Sequence, residues 1–449
     1  MSLTDQIFEA GVVGCGGAGF PTHVKLRAKA DYLIINGVEC EPLLSTDRFL
    51  MRNKTSEILR AAGAAAKETG AEHCVIAMKR TYQDEIAAVK NTIDQSGAEV
   101  EIKLLDSFYP VGDEQAVVYE VTGRTVPPGG IPLDVGAVVS NVGTMFAVSE
   151  AMDGRSFTHK YLTVAGEVKR PTIEYVPIGT PVSECIALAG GAQQEQFLLV
   201  NGGPMMGRPI RFEDIADEVV TKTTSGILAF KEDSYLARKN GMRMREIQMQ
   251  AASACTQCSF CTQLCPRFLL GNPLEPHKIM RRFAHSSDIR ELLSDPVVRS
   301  AALCCECGVC TVFACPMGLQ PSAVNSMLRK ELRAAGIRTD GMSASGPREE
   351  REWRKVPSGR IAVRAGVAEY CSKTLDCLIC AESHHVSIPL SQGAGMPAEP
   401  IVEVGEWVEA GQRIADCPRE RLGSNVHASI TGVVLEVGER IVIDGGVEP

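Results

Sequence analysis

The chain has 449 residues, 45% of them hydrophobic, with a formal net charge of −9 at pH 7, which is enough for two to four domains with buried cores. The negative balance excludes nucleic acid as a partner, because nothing supplies the basic face that phosphate binding requires. No apolar run reaches the roughly eighteen residues of a membrane span, and the start, MSLTDQIFEAG, has no basic and then apolar leader, so the sequence predicts a soluble, cytoplasmic protein with no direct membrane span. Seventeen cysteines in such a chain point to thiolates that bind metal in a reducing compartment.

In chain order, the first feature is the glycine-rich string GVVGCGGAGFPTHVKL (11–26). Gly14, Gly16, Gly17 and Gly19 let backbone N–H groups come close to an anionic ligand, and Lys25 adds a positive charge nearby. The string fits the dinucleotide fingerprint poorly, and no strong strand precedes it. DYLIING (31–37), HCVIAMK (73–79) and VEIKLLD (100–106) read as buried strands. Ile86, Val89 and Ile93 share one face of a helix between the last two. Residues 1–152 are therefore expected to form an α/β domain around a largely parallel sheet. Residues 153–232, from YLTVAGEVKRPTIEYV onward, read as a small β-rich module of two strands, a short helix and glycines. Residues 233–337 read as helical around the cysteines. Residues 338–383, which open on the polar, Gly/Ser/Pro-broken RTDGMSASGPREEREWRKVPSGR, are expected to be a linker. Residues 384–449 carry β periodicity with Gly405, Gly411 and Gly432 at turns, which predicts a compact β-sandwich.

The densest chemical signal is CTQCSFCTQLCP (255–266), which reads C-x2-C-x2-C-x3-C-P. A near copy follows at Cys304, Cys307, Cys310, Cys315 and Pro316. Structural zinc usually shows two separated C-x2-C pairs, whereas three cysteines at steps of three, twice, suit iron–sulfur cubes. In the two-cluster arrangement the fourth cysteine of each run crosses to the other cluster. Cys255, Cys258, Cys261 and Cys315 are thus assigned to one [4Fe–4S] cluster, and Cys304, Cys307, Cys310 and Cys265 to its neighbour. The second run has one extra residue before its last cysteine, and Cys305 competes with Cys304 as ligand. Cys371, Cys377 and Cys380 lack a fourth partner for a third cluster. His384, His385 and His427 are expected to be surface or packing residues. With no lysine between Asn425 and Thr431, a lipoyl or biotin arm is not expected.

The glycine string resembles the flavin-binding loop shared by the flavin subunit of respiratory complex I and the C subunit of the Rnf electron-transport complex, although Cys15 replaces an arginine common there. Further segments resemble that family in order. NGVECEP (36–42) matches at Asn36, Glu39 and Glu41, with Val38 where complex I has an aspartate. YPVGDEQ (109–115) matches from Tyr109 through Asp113 and Glu114, and SNVGTM (140–145) matches at Asn141 and Thr144. The resemblance implies FMN held by these segments, Asp113 and Glu114 in the catalytic position beside flavin and nicotinamide, and Phe20 stacked on NADH. It further implies a Rossmann-like α/β flavin domain, a β-grasp module of the SLBB type, a helical ferredoxin-like domain and a carboxyl-terminal barrel-sandwich hybrid. VNGGPMMG (200–207) matches the Rnf C subunit. Placement of the sandwich last resembles the cobalamin reductases of propanediol-utilising bacterial microcompartments.

Such a chain is expected to pass electrons from NADH through FMN and two [4Fe–4S] clusters to an acceptor, cob(III)alamin or cob(II)alamin, inside a microcompartment. An adenosyltransferase and shell proteins are then the expected neighbours. The alternatives are an electron-entry subunit of an Rnf-type complex and a non-catalytic iron–sulfur scaffold.

Overall fold

The computed structural model describes residues 1–286, 288–338, 341–371 and 375–446. Residues 339–340 and 372–374 of the expected linker, and residues 447–449 of the last module, lie outside the described residues.

The amino-terminal unit is built on four parallel strands in the order Glu101–Leu105, His73–Lys79, Tyr32–Asn36, Ala137–Asn141. Helices cover both faces, which is why the strands are unbroken apolar runs rather than alternating ones. Leu33, Ile35 and Ile76 pack with Ile58, Ala61, Ala62 and Ala65 of helix Thr55–Thr69 and with Met145 of helix Val142–Met152. Ile34, Ala77 and Val139 pack on the other face with Val117 and Val118 of helix Glu114–Thr122. The chain leaves Tyr32–Asn36 toward one edge and returns on its other side as Ala137–Asn141. The carboxyl ends of these neighbours therefore form a switch point, where open α/β sheets bind ligands. Asn36 and Asn141 are register partners at that end.

A six-stranded sheet follows, ordered Leu378–Cys380, Thr172–Pro177, His159–Gly166, Gly226–Lys231, Phe197–Asn201, Arg208–Ile210. Its first member comes from the segment expected to be a linker and pairs in parallel with Thr172–Pro177. The same segment contributes Val356–Pro357, paired with Phe108–Tyr109, and the helix Ser358–Ala365. The expectation of a linker over 338–383 is therefore corrected. Arg351 and Lys355 pair with Glu120 of the amino-terminal unit at 2.6 and 3.1 Å, contacts that a polar composition hides.

The cysteine-bearing unit is helical and packs Ile247, Ile279, Met280, Phe283, Val324 and Leu328 in one core. The last module pairs His385–Pro389, Arg440–Asp444, Gly432–Val437 and Trp407–Val408 in one sheet, and Glu399–Pro400, Arg413–Asp416 and Val426–His427 in a second. His427 is buried as a packing residue, while His384 and His385 are exposed.

This module clamps the start of the chain. Arg419 pairs with Asp5 and Glu9, and the Lys222 ammonium donates to the carbonyls of Gly11 and Asn425, both at 2.7 Å. Among the described residues no carboxylate accompanies Lys222, and burial lowers its pKa to about 7. The unfolded chain keeps an ordinary lysine value near 10.4, so between about pH 7 and 10 it binds a proton that the folded chain does not. The penalty for burying the charge is thus full below pH 7 and is relieved as pH rises through this window. Lys222→Met should remove that rise, which denaturant titrations of both proteins at pH 7 and pH 9 will measure.

Candidate flavin cavity and thiol cages

A cavity of about 1270 Å³ opens at the switch point between Tyr32–Asn36 and Ala137–Asn141. Gly16, Gly17, Asn36, Glu39, Glu41, Asp113, Glu114 and Asn141 stand on its wall, whereas Gly14, Gly19, Phe20, Lys25, Tyr109 and Thr144 do not. The residues set back hold the wall in place. Gly14 N–H donates to the carbonyl of Phe20 at 2.9 Å and closes the glycine loop. Thr144 Oγ1 accepts from Cys15 N–H at 2.9 Å, and the Asn141 amide joins Asp47 Oδ2 at 2.7 Å.

Two of the expected residues stand back from the cavity wall. Phe20 does not line the cavity, and the left-handed Gly19 (φ 66°) before it packs against Gly393 and Thr223. Lys25 does not offer a free charge to an anion, since its ammonium is held by Glu114 Oε1 and the Val139 carbonyl, both at 2.9 Å. A different cation lies on the cavity wall: Lys160, buried at the start of His159–Gly166, stands near Asp47. Burial pushes the carboxyls of Glu39 and Asp47 upward and that of Glu41 to about 7. The wall thus carries less negative charge near neutrality than its composition suggests. A Cβ at Gly17 would meet no protein atom within 4 Å, so the loop leaves open space toward the cavity. This is the cradle that a flavin and its phosphate need.

Asp113 is engaged at both oxygens. Oδ1 caps helix Glu114–Thr122 through Gln115 N–H and Ala116 N–H, and Oδ2 takes Arg267 at 2.9 Å. Glu41 is gripped from the β-grasp unit by Met205 N–H at 2.8 Å, and a side chain at Gly203 would collide with it. The Tyr109 hydroxyl lies 2.9 Å from Glu41 Oε1 and 2.8 Å from the Cys307 carbonyl. One hydroxyl proton cannot serve both. With Glu41 protonated, the chain closes, as Glu41 donates to Tyr109 and Tyr109 donates to Cys307.

Cys255, Cys258, Cys261 and Cys315 surround one small cavity, and Cys265, Cys304, Cys305, Cys307 and Cys310 surround another. The two loops are conformational copies. Gln257 and Ser259 in the first, and Glu306 and Gly308 in the second, all have positive φ. Cys304 therefore stands where Cys255 stands, and each sulfur accepts a local N–H, from the Gln257 amide at 3.1 Å and from Glu306 N–H at 3.3 Å. Cys305 takes the place of Thr256. The extra residue of the second run is absorbed by a π-helical turn, Cys310–Ala314, opposite the α-helical turn Phe260–Gln263. Five steps around a π turn bring Cys315 to the same side as four steps around an α turn bring Cys265. Asn325, fully buried on the wall of the second cage, has neither amide atom partnered among the described residues. Close-set thiols, inward donors and no water-filled bulk suit an iron–sulfur cube.

A glycine-cradled cavity that shares a wall with one of two cysteine cages defines a flavin and iron–sulfur oxidoreductase. Family comparisons agree segment by segment. Residues 7–150 match the Nuo51 FMN-binding domain, 161–209 the SLBB domain, 254–320 a 4Fe–4S dicluster domain, and 367–447 the RnfC barrel sandwich hybrid domain. The chain is 37% identical over 443 residues to the cobalamin reductase PduS of Citrobacter freundii, covering 98% of this chain and 96% of that one. It is 37% identical over 442 residues to the PduS of Salmonella typhimurium, covering 98% and 95%. It is also 34% identical over 271 residues to the C subunit of the Na⁺-translocating ferredoxin:NAD⁺ oxidoreductase complex of Acetobacterium woodii, covering 59% and 58%. The chain belongs to the cobalamin reductase PduS family.

Two substitutions test the site. Gly17→Val adds bulk that meets no protein atom, at a glycine on the cavity wall, so it should leave the melting curve unchanged and weaken FMN binding about ten-fold or more, as read by fluorescence titration. Tyr109→Phe strands Glu41 and the Cys307 carbonyl and should destabilise the protein by about 1–3 kcal/mol, measurable by denaturant unfolding.

Proposed function

We propose that the chain is an NADH-dependent cobalamin reductase, passing electrons from the flavin cavity through two clusters to cob(III)alamin or cob(II)alamin. The observation that carries this reading is the asymmetry of the two thiol cages. Cys304, Cys305 and Cys307 also stand on the flavin cavity wall, whereas Cys258 of the other cage is exposed beside exposed Phe260 and Met317. The turns Phe260–Gln263 and Cys310–Ala314 pack together between the cages. The inner cage (Cys304, Cys307, Cys310 and Cys265) then receives electrons, and the outer cage (Cys255, Cys258, Cys261 and Cys315) releases them at the surface. Bound FMN supplies the conversion of a hydride into single electrons, and the protein supplies position and potential.

In this reading Gly16 and Gly17 bring backbone N–H groups to the flavin and Lys160 balances a negative charge. Glu114, half-exposed and held by Lys25, faces the incoming nicotinamide from the cavity rim. Asp113, whose oxygens are both engaged, positions rather than reacts. The printed name of the relatives, cobalamin reductase, supports cobalamin as acceptor; residence in a bacterial microcompartment, beside an adenosyltransferase and shell proteins, belongs to the same proposed reading. An Rnf-type entry subunit is the second reading, supported by the similarity to the Acetobacterium woodii protein over 59% of the chain. No helix among the described residues is long and apolar enough to cross a membrane.

Anaerobic titration with NADH, following flavin and cluster absorbance separately and then adding cob(III)alamin, decides the matter. Stepwise bleaching of both chromophores, reversed by the corrinoid, is expected. Clusters that NADH cannot reduce even after FMN is supplied would instead indicate a scaffold, and reoxidation by ferredoxin but not by the corrinoid would favour the Rnf-like role.

A further inference from the structure

The electron path uses the thiols and the glycine loop but leaves Arg267 without a task. Arg267 follows Cys265 by two residues, in the short turn Pro266–Leu269. Its side chain is only 12% exposed, and it stands on the walls of both the flavin cavity and the inner thiol cage. Nη2 donates to Asp113 Oδ2 at 2.9 Å, while Nε and Nη1 have no partner among the described residues. Burying guanidinium donors without acceptors costs several kcal/mol. The acceptors lining this enclosure are the sulfurs of the inner cage and the Asn325 amide oxygen. A guanidinium does not deprotonate in a protein, so the positive charge there is permanent. Asp113 fixes its location, because its other oxygen is tied into the cap of helix Glu114–Thr122.

We propose that Arg267 is a positioning residue that raises the reduction potential of the inner cluster, placing a fixed positive charge and two N–H donors against it. Reduction adds one negative charge to a cluster, and a cation held in a poorly polarisable surround stabilises the reduced form more than the oxidised one. The inner cluster thereby becomes the favoured first acceptor for electrons leaving the flavin cavity. Asp113 acts through Arg267 as its counter-ion, tempering the effect. The inference rests on the proposed assignment of Cys304, Cys307, Cys310 and Cys265 to one cluster.

The experiment is a potentiometric titration of the full-length, cluster-loaded protein, with both clusters followed by electron paramagnetic resonance. Arg267→Met should lower the midpoint of one cluster and leave the other in place, with Arg267→Lys falling between it and the parent. Asp113→Asn keeps an equally good helix cap but leaves the guanidinium uncompensated, so it should move the same midpoint upward. A residue that merely ties two domains together has no reason to produce shifts of opposite sign. Unchanged midpoints in Arg267→Met and Asp113→Asn, with both signals intact, overturn the proposal. Should Arg267→Met fail to retain its cluster, Arg267→Lys and Asp113→Asn decide on the same rule of signs. Absence of two cluster signals from the parent protein would overturn the ligand assignment instead.

Discussion

The structure depends on a short hydrogen-bonded line, Glu41–Tyr109–Cys307, that joins three units which do not follow one another in the chain. Glu41 and Tyr109 belong to the flavin unit, the Met205 N–H that grips Glu41 belongs to the β-grasp unit, and Cys307 belongs to the cluster unit. Tyr109 is 2% exposed, so water does not replace any of these bonds once lost. Polar groups buried this deeply specify one arrangement, because a displaced partner is left unsatisfied. Three domains that could slide past one another are held in one register, and the inner thiol cage is fixed against the flavin cavity. Distance governs electron transfer, so this line is as functional as any ligand.

Much of the site could be read from the sequence where its parts are local. The two cysteine runs carry their geometry in their spacing, and the glycine loop carries its own in the absence of side chains. The three expected strands are present because helices bury both sheet faces. What escaped depends on segments far apart in sequence. Lys160 reaches the flavin cavity from a neighbouring domain, and Arg267 gains meaning only when Asp113 is beside it. The segment around Arg351 reads as a linker because its buried ion pairs with Glu120 have no signature in a polar string. Phe20 and Lys25 illustrate the converse. Their residue types suit a ligand, yet Phe20 stands back from the cavity wall beside the turn at Gly19, and Lys25 is paired with Glu114.

The paired cages show how a fold tolerates an insertion. The left-handed residues Gln257, Ser259, Glu306 and Gly308 repeat at equivalent places, so the two loops keep one shape despite different sequences. Three of the four are not glycine, a conformation that costs energy for such residues. The added residue of the second run is absorbed in the π turn rather than in the loop. Ligand direction, not residue count, is what the structure preserves.

The glycine loop is backed by the opposite end of the protein. Gly19 packs on Gly393, and its carbonyl accepts Ala394 N–H at 3.2 Å. During synthesis that support emerges only after the cluster unit has left the ribosome. A chain cut before residue 393 would lose this backing of the glycine loop while keeping both cysteine runs.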